Sequence, residues 1–463
     1  MATRPQSGTA APDVHRPDWV RDAVFYQIFP DRFARGPRAS ADVAPWDSAP
    51  TRDDFLGGDL DGITAHLGHL EDLGVTAVYL TPIFAAGTNH RYDTTAYLRI
   101  DPRLGDDAAF DRLVAAAHDR GVRIVLDAVF HHCGYGHWAF QDVVTHGPDS
   151  RYAGWFTVEQ YPVRVRPRPS YATCSGCWYL PKLNVEDPEL RAHLMEVARH
   201  WTARGIDGWR LDVPYMMNAP GFWAQFRAVV RAQNPDAYLV AEVWDAATEW
   251  TSGRTTDAAM NYRLRDALLA FLVERRSGAD ELARAMAAID AEVDPGATGH
   301  MLNLLASHDT ARTLTTCGGE RELSLLAVRL LLCLQGAPML YYGDEVGLRG
   351  FNDPECRGAM PWSHERWDTG TLAAVREWVR LRRGSVALRR GDQQVTTVDD
   401  DVVRVRRRHA DQTVDVFANR AAVPRPVPVE GPARDLVTGR VARPGSFDLP
   451  ARGIRVLEHR GDR

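Results

Sequence analysis

Gly208-Trp-Arg-Leu-Asp212 is a short apolar run that ends on a carboxylate, and four other segments place a polar side chain in the same way. They are Asp127-Ala-Val-Phe-His-His132, Leu180-Pro-Lys-Leu-Asn184, Ala241-Glu-Val-Trp-Asp245 and Ala306-Ser-His-Asp-Thr310. One such segment says little. An ordered series is what a parallel barrel produces, because its active site is assembled from the C-terminal ends of several strands.

Working outward from residues 208–212, strand and helix signals alternate, the pattern of a parallel α/β fold. Residues 24–29 (VFYQIF), 77–80 (AVYL) and 122–127 (VRIVLD) read as the first three strands. Amphipathic helical segments at 60–73 and 108–120 lie between them, with Gly74 and Gly121 just past their ends. The rhythm pauses at 131–184, a stretch rich in Pro, Gly, Tyr and Trp. It resumes with strands at 208–212, 238–242, 258–260, 301–305 and 339–342. Eight strands with one excursion after the third predict a (β/α)8 TIM barrel. After Arg383 short Val-rich alternating runs at 394–398, 402–406 and 413–417 predict an antiparallel β unit. The expected organisation is a tail over 1–19, a barrel over 20–385 containing the 131–184 excursion, and a β-sandwich over 386–463.

A length of 463 residues fits a barrel with insertions and one smaller unit. Charged residues make up 25% of the chain and the net charge is −6, with no long single-sign run. Nothing favours a nucleic acid or an anionic membrane, and a small neutral substrate suits the chain better. Residues 1–14 lack a signal-peptide core, and no stretch reaches the length of a membrane span, so a cytoplasmic protein is expected. Six cysteines are too sparse for a disulfide framework. Cys174 and Cys177, the only close pair, could be a redox pair, half a metal site or two ordinary thiols, of which ordinary thiols is the favoured reading.

Retaining cleavage of a glycosidic bond needs one carboxylate as nucleophile and a second carboxyl as acid and then base, about 5 Å apart. Asp212 ends the fourth strand and Glu242 the fifth, so neighbouring staves aim both into one pocket. Arg210, two residues before Asp212, shares its strand face and is expected to keep Asp212 ionised with a low pKa. Glu242 sits in an apolar run that should raise its pKa toward that of an acid. His132 and the His308-Asp309 pair can supply donors and acceptors for sugar hydroxyls. Taken singly, a strand-end Asp is a helix cap, a buried Arg–Asp pair is structural, and Trp244, Met260 and Tyr262 are core. Joint placement at strand ends reverses that reading for Asp212, Glu242 and Asp309.

With these segments in hand, the chain resembles the α-amylase superfamily, and in particular its neopullulanase and cyclomaltodextrinase branch. Further carriers of the resemblance are Val24-Phe-Tyr-Gln-Ile-Phe-Pro-Asp-Arg-Phe33, Gly57-Gly-Asp-Leu-Asp-Gly62, Leu80-Thr-Pro-Ile-Phe84, Asn89-His-Arg-Tyr-Asp93 and Asp353-Pro-Glu-Cys-Arg357. The resemblance implies Asp212 as nucleophile, Glu242 as acid/base and Asp309 as the carboxylate that helps distort the sugar. It implies Tyr92 stacked on the ring at the cleavage subsite among His132, Arg210 and His308, with Asp353 and Arg357 holding the next sugar. Val243, Trp244, Met260, Tyr262 and Ser307 match positions that shape the acceptor side and bias between α-1,4 and α-1,6 linkages.

The chain also departs from that branch. His131 stands where Asn is usual, and Val213-Pro-Tyr-Met-Met217 replaces the usual ending after the nucleophile; both family positions help bind calcium, which wants oxygen ligands. A second calcium loop is replaced by residues 34–40 (ARGPRAS), so no required metal is expected. Ala96 replaces a frequent Asp. The branch's N-terminal β domain, which pairs subunits, does not precede the barrel here, so a monomer with a more open cleft, or one closed by 163–178, is expected.

The implied function is a retaining hydrolase of short, cyclic or branched maltooligosaccharides such as cyclodextrins, with transglycosylation open to its covalent intermediate. Two alternatives stand beside it. One is an α-1,6-acting oligosaccharidase or a glucosyl transferase or isomerase on the same site; the other is a catalytically silent glycan-binding protein.

Overall fold

The computed structural model describes residues 14–37, 42–217 and 219–459. The tail reading over residues 1–13, the replaced loop at 38–40 and the last four residues of the expected β-sandwich lie outside them.

Eight parallel strands form a ring: β1 (Phe25–Ile28), β2 (Ala77–Leu80), β3 (Arg123–Ala128), β4 (Gly208–Leu211), β5 (Tyr238–Ala241), β6 (Ala258–Ala259), β7 (Leu302–Leu304) and β8 (Ala337–Tyr341). Their order is β6-β5-β4-β3-β2-β1-β8-β7, and a single parallel bridge from Met260 to Leu302 joins the two ends. At that seam the Asn261 N–H donates to Leu302 O at 2.8 Å and Asn261 Nδ2 donates to Asn303 Oδ1 at 3.0 Å. Nearly every strand residue is buried, which is why these strands read as continuous apolar runs and do not alternate. At Gly208 a Cβ would meet Tyr238 O at 2.4 Å, so only glycine lets β4 lie this close to β5.

The helix expected over 60–73 is two helices, Leu60–Ala65 and Leu67–Leu73, broken at His66. The His66 Nδ1 contacts Gly62 O at 2.8 Å, and its ring lies 3.8 Å from that of Trp362. This tertiary contact from far along the chain overrides local helical spacing. Gly74, at φ +85°, then ends the second helix by donating its N–H to Glu71 O at 2.9 Å. The segment expected at 108–120 is the helix Asp107–His118, capped by Asp106 through the Ala109 N–H.

In the excursion, His132 bridges Lys182 and Thr173 bridges Pro181, both antiparallel. Three extended stretches are thereby laid side by side over the end of β3. The C-terminal strands are β9 (Asp392–Asp399), β10 (Val402–His409), β11 (Gln412–Asn419), β12 (Arg425–Val429), β13 (Ala433–Asp435), β14 (Val441–Ala442), β15 (Gly445–Leu449) and β16 (Ile454–His459). Six make an antiparallel sheet, β9-β10-β11-β16-β13-β14, and β12 pairs with β15. Val402, Phe417, Val427, Leu449 and Leu457 are buried together between the two sheets. Among the described residues no helix is long and apolar enough to cross a membrane.

Candidate active site

The C-terminal ends of β3, β4, β5 and β7 bring together Asp127, Arg210, Asp212, Glu242 and Asp309. Arg210 is fully buried at their centre. Its Nη1 donates to Asp127 Oδ1 and Oδ2 at 2.8 and 2.9 Å and to Asp212 Oδ1 at 2.7 Å. Its Nη2 lies 2.8 Å from Glu242 Oε2. One guanidinium therefore grips carboxylates from three adjacent staves, and charge-assisted bonds of this kind fix orientation as well as charge.

Around this knot runs a chain of hydrogen bonds. Gln27 Nε2 is 2.8 Å from His308 Nδ1, and His308 Nε2 is 2.6 Å from the Tyr92 hydroxyl. Tyr92 donates to Asp127 Oδ2 at 2.8 Å, and Tyr79 donates to the same oxygen at 2.6 Å. With Gln27 as donor to Nδ1, the His308 proton sits on Nε2 and points at Tyr92. Burial, reinforced by Arg357 and Arg210, holds the His308 pKa well below its usual value, so the ring is neutral. Arg357 donates Nη2 to Asp309 Oδ1 at 3.3 Å and Nε to His308 O at 2.9 Å, and its Nη1 lies 3.2 Å from Asp353 Oδ1.

Burial raises the Glu242 pKa above the ordinary glutamate value against the pull of Arg210, as the apolar neighbourhood predicts. The low pKa expected for Asp212 is corrected. Burial, together with repulsion from Glu242 and Asp127, outweighs the Arg210 charge and holds Asp212 well above the usual range. Spacing along β4 showed Arg210 but not that the same cation is shared with two further carboxylates.

The Val213 N–H donates to Glu242 Oε2 at 3.0 Å. To do so Val213 adopts φ +36°, a left-handed conformation that costs a β-branched residue free energy and marks a constrained site.

His132 lies beside His131, both buried, and burial lowers their pKa values to about 3 and about 4. His132 Nε2 has no hydrogen-bond partner among the described residues. Val243 is buried; Trp244 is 38% exposed and stacks on Tyr262 with ring centroids 3.8 Å apart. Met260, Tyr262 and Ser307 are buried behind it. Tyr92, Asp353 and Arg357 line a cavity of about 790 Å³ that also takes in His90, Tyr135, Trp178 and Tyr179. Sequence reasoning missed Gln27, Tyr79 and Asp127 as parts of the site. Each is a polar residue inside an otherwise apolar buried strand, and that exception was the available signal.

A closed parallel barrel that gathers carboxylates around one guanidinium at its C-terminal rim defines a TIM-barrel enzyme of carboxylate acid–base chemistry. The sequence matches the alpha amylase catalytic domain over residues 27–385. It is 43% identical over 425 residues to a cyclomaltodextrinase of Geobacillus thermopakistaniensis, covering 90% of this chain and 72% of that protein. To neopullulanase 2 of Thermoactinomyces vulgaris it is 42% identical over 411 residues, covering 87% and 67%. The ligand-free cyclic alpha-maltosyl-(1→6)-maltose hydrolase of Arthrobacter globiformis superposes with a TM-score of 0.91 at 48% identity, covering 96% of this chain and 100% of that one. The chain belongs to the alpha-amylase family of glycoside hydrolases.

Proposed function

We propose that this protein is a retaining α-glucan hydrolase acting on α-1,4 bonds of short, cyclic or branched maltooligosaccharides. The observation that carries this reading is the Arg210 knot, which presents Asp212 and Glu242 from adjacent strand ends to one space. Glu242, whose raised pKa favours the protonated form, gives its proton to the glycosidic oxygen as the Asp212 carboxylate attacks the anomeric carbon. The leaving sugar departs, and Glu242, now a carboxylate, takes a proton from the water or sugar hydroxyl that cleaves the glycosyl ester. Asp309, held by Arg357, and the buried, unpartnered Nε2 of His132 would bind hydroxyls of the distorted ring. Tyr92 offers its face to the ring, with Asp353 and Arg357 beyond it. Trp244, backed by Val243, Met260, Tyr262 and Ser307, forms the acceptor side.

No required metal belongs to this reading. His131 offers nitrogen where the family resemblance has an oxygen ligand, and its Nδ1 is turned to His132, so the residues do not suit calcium. A monomeric, cytoplasmic enzyme is the form proposed.

A second reading, cleavage at or beside an α-1,6 linkage in a small ring, draws on the likeness to the Arthrobacter hydrolase over its whole length. Both are tested by product time courses of the wild type and Glu242→Gln on maltotriose, linear and cyclic dextrins, a cyclic mixed α-1,4/α-1,6 tetrasaccharide, panose, pullulan and starch. Rapid loss of small or cyclic sugars with little attack on starch, abolished in the variant, is expected. Preferred attack on starch, or no turnover of any substrate, would overturn the proposal.

A further inference from the structure

Next to the nucleophile lies a set of donor atoms that glycoside hydrolysis does not use. The imidazoles of His131 and His132 face each other with their Nδ1 atoms 3.2 Å apart. Cys174 Sγ completes a group whose three donor atoms lie within 4.8 Å of one another. A tetrahedral zinc ion, with bonds of about 2.0 Å to nitrogen and 2.3 Å to sulfur, spaces two such nitrogens about 3.3 Å apart. The histidine pair already has that spacing, and Cys174 Sγ is close enough to join the same centre by a small side-chain adjustment.

The scaffold holds these atoms in place. The Leu183 N–H donates to His131 O at 3.0 Å and the Cys133 N–H to Pro181 O at 3.0 Å, while the Cys174 N–H donates to Leu180 O at 2.9 Å. The histidines and the cysteine thus hang from two stretches that both pair with residues 180–183. All three side chains are buried. Two imidazole nitrogens and a thiolate form a borderline-soft set that suits zinc, cobalt(II) or copper and is wrong for calcium or magnesium.

We propose that His131, His132 and Cys174 form a binding site for a zinc-type transition cation, and that its occupancy shuts down the adjacent active site. On binding, the Cys174 thiol releases its proton to solvent, and the ring protonated at Nδ1 carries its proton on Nε2 instead, so that both Nδ1 lone pairs face the metal. Solvent from the cleft supplies the fourth ligand. Lys182, whose ammonium faces His131 while its Nζ reaches toward Met216 O at 3.4 Å, opposes the cation; Asp212, which faces Cys174, favours it. A divalent charge here draws on the Asp212 carboxylate and ties up the imidazole that faces the sugar. The coupling to activity rests on the function proposed above, whereas the metal site does not.

The test is titration of the tag-free full chain with cobalt(II) chloride, read by the visible bands of tetrahedral cobalt and by thiolate-to-cobalt charge transfer in the near ultraviolet, followed by displacement with zinc chloride. The expected result is one equivalent bound with a thiolate band. Cys174→Ser should remove that band and weaken zinc by at least about tenfold, and His131→Asn should weaken it by a similar factor. Cys177→Ser should change nothing. Zinc should inhibit the wild type, and Cys174→Ser should keep full activity while escaping inhibition. Equal zinc affinity in wild type and Cys174→Ser would overturn the site. So would loss of binding in Cys177→Ser, which would place the metal on the two cysteines. Binding without inhibition would overturn the coupling, and because cobalt is read by its spectrum, the metal result stands even on a chain that cleaves no sugar.

Discussion

Arg210 at the catalytic rim and Arg382 beneath the C-terminal sheet are both fully buried, yet their charges are met in opposite ways. Arg382 donates Nη1 to Leu332 O and Leu334 O at 2.9 and 3.0 Å and Nη2 to Gly336 O at 2.6 Å. Arg407, close by, donates to Cys333 O and Gly391 O at 2.7 and 2.8 Å. These carbonyls are fixed, neutral and unable to titrate, so Arg382 ties its helix to the turn before β8 and Arg407 ties the C-terminal sheet to the same turn. Arg210 instead shares its donors among Asp127, Asp212 and Glu242, and with Asp309 nearby the carboxylates outnumber the cations that neutralise them. Burial and this surplus of negative charge raise the pKa values of Asp212 and Glu242 above the ordinary carboxylate range. The difference is between a charge used as a fastener and a charge used to tune its neighbours.

The largest effect that would break this contrast is catalytic. Asp212→Asn and Glu242→Gln are each expected to lower kcat by at least about 10³-fold, measured by release of reducing ends, while the circular dichroism spectrum stays unchanged. Near-normal turnover in either variant would remove the distinction between the two clusters.

Next comes the fastener. Arg382→Met leaves three buried carbonyls without their donor and is expected to cost about 3 kcal/mol in denaturant unfolding, with kcat per folded molecule unchanged. A loss of activity at constant stability would show that the interface also tunes the site.

The pH profile sharpens the comparison further. The Glu242 pKa is raised, so its acid form survives to higher pH and kcat/KM falls as pH climbs through that value. The Asp212 pKa is raised too, so the nucleophile is lost as pH falls through it. Because the carboxylates titrate as a cluster, both limbs are macroscopic. The acid limb is expected above the ordinary carboxylate value of about 4, and Arg382→Met should leave both limbs in place.

The smallest effect concerns stability. A carboxyl whose folded pKa lies above its unfolded value contributes fully below the unfolded pKa, and that contribution is lost as pH rises through the folded one. Glu242 therefore weakens the fold at neutral pH. Glu242→Gln should raise stability at pH 7, and that gain should shrink as pH falls into the ordinary carboxylate range of about 4, as followed by thermal unfolding.

Much of this was readable before any coordinates. The eight staves are short apolar runs because parallel strands are covered on both faces, and all eight appear within a few residues of their expected positions. Asp212, Glu242 and Asp309 stood out because a barrel exposes its chemistry at strand ends. The break at His66 was not readable, since Trp362, the ring that packs against it, lies about three hundred residues away. The sharing of Arg210 and the raised Asp212 pKa depend on which staves touch, and the His131, His132 and Cys174 cluster depends on the path of the excursion. Local periodicity carries neither kind of information.

The seam between β6 and β7 has a mechanical meaning. Every other neighbouring pair in the ring is zipped by a ladder, whereas this one rests on the Met260–Leu302 bridge and the Asn261 contacts. Glu242 follows β5, one stave back from the seam on one side, and Asp309 follows β7 on the other. Under heat or load the hoop should part there first, spreading the carboxylates while most of the fold stands, so the protein would stop working well before it comes apart.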